Sequence, residues 1–125
     1  MKTIPAPYEK LRAWTAAHQV LLQVYRTTEK WPRQEIYGLT SQARRAAFSV
    51  AANIAEGVAK RGQREFRRFL DIALGSSTEL RYILRVAHDL GFLTKESWNK
   101  IEFERNEAGK LLWRLYESVV KRNQT

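Results

Sequence analysis

Four separate stretches of this chain repeat apolar residues at steps of three and four, and none alternates at a step of two. A period near 3.6 lines side chains along one side of a helix, whereas alternation lines one face of a strand. Four stripes divided by short breakers can all be buried only by packing helix on helix. Three prolines and six glycines in 125 residues leave those stretches largely uninterrupted, as helices require.

The first stretch spans about 8–30, with Leu11, Trp14, His18, Leu21, Tyr25 and Thr28 as its stripe. Trp31-Pro32 ends it, because the residue before proline is driven out of the helical region. After the connection Ile36-Tyr37-Gly38, the second helix is expected over about 39–56. Its stripe is Leu39, Ala43, Ala46, Val50 and Ile54, widened by Ala47, Ala51 and Ala55, and Gly57 is the natural stop. The third, over about 64–90, carries Phe66, Leu70, Ala73, Ser77, Leu80, Leu84 and Ala87. A second row of Phe69, Ile72, Ser76, Ile83 and Val86 exceeds what one core requires of a helix this long. Asp89-Leu90-Gly91 closes it. Thr94 caps the fourth, over about 95–121, whose stripe is Trp98, Ile101, Arg105, Ala108, Leu112, Leu115 and Val119. The expected fold is all-α: one domain over 1–125, an antiparallel up-down-up-down four-helix bundle with short links.

With 44% hydrophobic and 28% charged residues the chain has the balance of a globular protein. It contains no cysteine, which excludes disulfides, thiolate nucleophiles and zinc knuckles and fits a reducing cytoplasm. Lys2 is followed by Pro5 and Pro7 rather than by an apolar run, so no signal peptide is expected. No charge-free stretch approaches the ~20 residues of a membrane span. The expected location is cytoplasmic, with no membrane partner. A net charge of +9 points toward polyanions, RNA or DNA foremost.

Catalytic constellations are missing. A di-iron bundle needs Glu-x-x-His pairs, and the two histidines, His18 and His88, are preceded three residues earlier by Thr15 and Arg85. His18 reads instead as a core residue, and neither a metal nor a cofactor is expected. Gly57-Val58-Ala59-Lys60-Arg61-Gly62 begins like a phosphate loop but continues Gln63-Arg64, with no strand before it. Ser76 and Ser77 follow Gly75 in mid-helix, with no nucleophile elbow. The chain is not expected to be an enzyme.

Three features remain. Arg45, Ser49, Asn53 and Glu56 step by four, four and three along the second helix. They form either a recognition site between helices or, the reading adopted, a buried polar network with Glu79 and Arg81 that fixes helix register. Lys60, Arg61, Arg64, Arg67 and Arg68 crowd five cations around a single Glu65 at the start of the third helix. There the macrodipole adds to their positive potential, so the cluster is either an anion-binding surface or a solvated face. Gly75 interrupts the third helix at its centre at a cost of ~1 kcal/mol relative to alanine, which close backbone contact would offset.

The run Tyr8-Glu9-Lys10-Leu11-Arg12-Ala13-Trp14 precedes Tyr37-Gly38-Leu39-Thr40-Ser41-Gln42 and Arg44-Arg45-Ala46. Asn53-Ile54-Ala55-Glu56-Gly57, Phe66-Arg67-Arg68-Phe69-Leu70, Ala73-Leu74-Gly75-Ser76, Glu79-Leu80 and Leu90-Gly91 follow. In this order the chain resembles the bacterial four-helix-bundle proteins encoded in intervening sequences of 23S rRNA genes. Accessory variability proteins of diversity-generating retroelements belong to the same wider group. The resemblance covers nearly the whole chain and implies a homopentamer, which would occupy the spare apolar row. It also implies a basic assembly able to contact RNA or a nucleic-acid enzyme.

The function expected is therefore a non-catalytic oligomer that binds nucleic acid through backbone phosphates. Arg44, Lys60, Arg61, Arg64, Arg67 and Arg68 would make those contacts as point charges. The alternative is a protein-interaction scaffold or accessory subunit whose charge meets an acidic protein partner, such as a nucleic-acid enzyme.

Overall fold

The computed structural model describes residues 4–124. Among them the chain forms four α-helices and no strand: α1 (Arg12–Thr28), α2 (Leu39–Ala59), α3 (Gln63–Asp89) and α4 (Lys95–Gln124). A 3-10 turn, Pro7–Lys10, precedes α1, and another, Arg33–Glu35, lies between α1 and α2. The first expected helix is thus split. Leu11 is extended (φ −88°, ψ 124°), and α1 begins only after it.

Two clusters of buried side chains divide the interior. Val20, Val24, Ala43, Ala47, Leu80, Leu84 and Ile101 meet near Trp31 and Leu93. Ala13, Ala17, Val50, Ile54, Phe66, Leu70, Leu112 and Val119 form the other. The first half of α1 therefore packs with the second half of α2, the first half of α3 and the second half of α4. Between the clusters lies a gap of about 10 Å³ bordered by Ala47, Ser77, Arg105 and Gly109, among others. That is the room of about one water.

On α1 the buried row is Ala13, Ala17, Val20, Val24, Thr27 and Thr28; of the residues the spacing singled out only Thr28 is in it, the larger ones lying one position away. Leu11, Trp14 and Leu21 flank the core partly buried, and Tyr25 is exposed. The turn of roughly one residue, or about 100°, has a steric cause: α2 presents alanines, and small α1 residues let the two backbones approach while bulky ones fill the edges. His18 lies half-buried, its ring stacked 4.9 Å from Trp14.

The helix ends follow local chemistry. The Glu35 carboxylate accepts the Leu39 N–H at 3.1 Å and caps α2. Thr94 Oγ1 accepts the Ser97 N–H at 3.1 Å at the start of α4. Gly91, at φ 79°, ends α3, with Phe92 N–H bonded to the Ala87 carbonyl at 2.9 Å. Gly57, by contrast, does not stop α2. It is buried inside the helix, where a methyl group would meet Phe69 Cβ at 2.9 Å and Phe66 Cδ1 at 3.0 Å. Its role is to let α3 approach, and the chain turns instead at Gly62, with φ 82°.

Arg105, the exception in the α4 stripe, is buried and held by Glu102 through Nε–Oε1 at 3.0 Å and Nη2–Oε2 at 3.1 Å. Its aliphatic stem completes the stripe while the guanidinium is satisfied on its own helix.

Candidate nucleic-acid interface

The polar line of α2 resolves into a smaller unit than the spacing suggested. Asn53 Nδ2 donates to the Ser49 carbonyl at 2.8 Å and to Ser49 Oγ at 3.0 Å, and Ser49 Oγ lies 2.7 Å from Ser76 Oγ on α3. This pins α2 to α3 beside the small residues of both. Arg45, Glu56 and Glu79 are exposed and make no hydrogen bond or ion pair among the described residues. A period of four puts residues on one side of a helix, but Arg45 and Glu56 sit at the rim of that side, where water solvates them. Arg81 is exposed as well.

The basic cluster stays together. Lys60 and Arg61 occupy the link after α2, and Arg64, Arg67 and Arg68 lie in the first turns of α3. The Phe69 ring receives Lys60 Nζ at 5.3 Å from its centroid and the Arg68 guanidinium at 4.7 Å. Glu65 takes up only Arg68, at 3.3 Å with both side chains exposed, so it contributes little neutralisation. Arg64, Glu65, Arg67, Arg68 and Asp71 surround an open depression of about 450 Å³. Such shallow relief fits an extended anion better than a buried small molecule.

The tertiary structure enlarges this surface. The Arg67 guanidinium lies 5.8 Å over the Tyr116 ring, joining the start of α3 to the last turns of α4. There Arg114, Lys121 and Arg122 border a second depression of about 450 Å³ with Glu117 and Ser118. Lys121 and Arg122 lie in the last turn of α4, where the macrodipole favours positive charge, and no local spacing links them or Arg114 to the start of α3. Between 50 and 58 residues of chain separate them from Arg64, and only helix packing brings them near.

Arg44 is not part of this surface. It lies toward the other end of α2, where its Nε donates to Thr28 Oγ1 at 3.0 Å and its guanidinium rests 4.6 Å over the Tyr25 ring.

The model of the 23S rRNA-intervening sequence protein family matches residues 9–114. The chain belongs to that family. A solved member of the S23 ribosomal protein family from Bacteroides thetaiotaomicron, described as a protein with unknown function, has the same fold, with a TM-score of 0.74. It is 22% identical, and the alignment covers 83% of this chain and 97% of that one. No curated protein matches the chain. The family match spans the first buried cluster, all of the second except Val119, and the basic start of α3; it stops at Arg114, before Lys121 and Arg122. No helix among the described residues is long and apolar enough to cross a membrane.

Proposed function

We propose that this family member is a non-catalytic nucleic-acid-binding protein of the cytoplasm, formed as a homopentamer of antiparallel up-down-up-down bundles. It would engage RNA through phosphate contacts. The supporting observation is the gathering of Lys60, Arg61, Arg64, Arg67 and Arg68 with Arg114, Lys121 and Arg122 toward one end of the helices. The cations outnumber Glu65, Asp71 and Glu117 nearby, and those at the start of α3 oppose its dipole. Cations kept where they destabilise their own helix are explained by an anion that compensates them. The depressions between them are open and make no pocket for base readout, so phosphate contact with little sequence preference follows.

The test is fluorescence anisotropy of labelled RNA titrated with salt. Log affinity is expected to fall linearly with log salt concentration, with a slope of about −0.7 per phosphate contact on a single strand. Charge reversal at Arg64 and Arg68 should weaken binding and flatten that slope while the far-UV spectrum stays helical. An unchanged slope would remove these residues from the interface. No binding even at low salt would transfer the basic surface to an acidic protein partner.

A further inference from the structure

A second surface, toward the other end of α2, combines rings and cations without any carboxylate. Tyr25, Ile36, Tyr37, Arg44, Arg45 and Phe48 border an open groove of about 610 Å³, together with two serine hydroxyls. Tyr37 is 96% exposed and Phe48 59%, so neither ring is there to fill the core. Arg44 is fixed in advance. Its Nε is held by Thr28, a buried residue whose own hydroxyl donates to the Val24 carbonyl at 2.7 Å. Its guanidinium rests on Tyr25, and its terminal nitrogens make no hydrogen bond among the described residues. Arg45, beside it, is exposed and unpaired.

An unpaired nucleotide offers the chemistry this groove complements: an aromatic face for the rings and a phosphate for the guanidinium groups. Duplex nucleic acid offers only the phosphates, because its base faces are stacked on one another. A second copy of this chain is a poorer occupant. It brings the same net charge of +9, and seating it over Arg44 and Arg45 requires facing carboxylates to avoid burying unpaired cations. Arg45 and Lys60 are roughly 22 Å apart along α2 at 1.5 Å per residue, a span one extended strand of a few nucleotides bridges.

We propose that this groove stacks the bases of unpaired nucleotides, giving the protein a preference for single-stranded over duplex nucleic acid. The inference rests on the RNA-binding reading above and adds the form of RNA that is bound. The experiment measures anisotropy of the full chain with a labelled oligouridylate and with a blunt RNA duplex of the same length. It is repeated on the Tyr37→Ala, Phe48→Ala double variant. The wild type is expected to bind the single strand more tightly. The double variant should bind it about tenfold or more weakly, the scale of one lost base–aromatic stack. Its duplex affinity and salt slope should not change, because the phosphate contacts survive.

Three results overturn the proposal: equal affinity of the wild type for both probes, an oligouridylate affinity unchanged in the variant, or a lower oligomer mass by light scattering. The last would assign the groove to a second copy. Failure of the wild type to bind either probe sinks the RNA-binding reading as well, whereas binding of both with a silent variant sinks only stacking. Should the double variant lose helicity, Tyr37→Ala alone repeats the test at a ring that contributes almost nothing to the core.

Discussion

At the scale of single residues, Gly57 changes meaning between sequence and structure. In sequence it follows an alanine-rich helical run and looks like a C-terminal cap. In three dimensions it is the point where α2 and α3 pack too closely for a Cβ, against Phe66 and Phe69. Gly57→Ala should therefore destabilise the protein by about 1–3 kcal/mol, the usual cost of overpacking, in urea unfolding followed by circular dichroism. A cap or open helix position would show the opposite sign, since alanine is the better helix former. Arg105 has a similar history. A cation in an apolar stripe reads as an interruption, yet its charge is met by Glu102 one turn away. The partner was visible in the sequence at a spacing of three; the burial that makes it matter was not.

At the scale of elements, α3 carries two demands on one helix. Its inner row, Phe66, Leu70, Ala73, Leu80, Leu84 and Ala87, is buried, and its first turns hold the cations that the macrodipole disfavours. Arg64→Glu places an anion in the first turn instead. It should stabilise the fold by about 0.3–1 kcal/mol at low ionic strength, measured by thermal unfolding, while weakening RNA binding. Loss of stability would mean that Arg64 has a structural role. The second row of α3 is less uniform than its spacing implied. Ile83 is buried, Phe69, Ser76 and Val86 are half-buried, and Ile72 is 42% exposed. Apart from its chain neighbours and its own helix backbone, Gly75 has no described atom within 4 Å of where a Cβ would stand, so no aromatic side chain among the described residues occupies the space beside it.

At the scale of the whole molecule, the exposed Ile72 and the open space beside Gly75 support the proposed homopentamer. Light scattering on the purified protein should give five times the 14.6 kDa chain mass. Ile72→Glu should lower that mass without reducing helix content, because Ile72 contributes little to its own subunit's interior. An unchanged mass would move the seam to another face. The net charge is also organised at this scale. Sequence places five cations together at the start of α3, and packing adds a second group from the end of α4.

Periodicity was enough to determine that this chain is helical and where its four helices lie, to within a few residues. Backbone geometry and local caps such as Thr94 and Gly91 act over only a turn or two. The basic cluster was legible for the same reason: Lys60 to Arg68 are neighbours in the chain. Tertiary packing decided the rest. It chose which side of α1 faces inward, because the small α2 surface selects small partners over large ones. It reduced the polar line of α2 to Ser49, Asn53 and the facing Ser76, because only Ser49 of that line meets a partner on another helix. It also separated Arg44 from the other cations and set it beside Tyr25, 19 residues earlier in the chain. Contacts between residues distant in sequence depend on how whole helices rotate against one another, and no local spacing encodes that rotation.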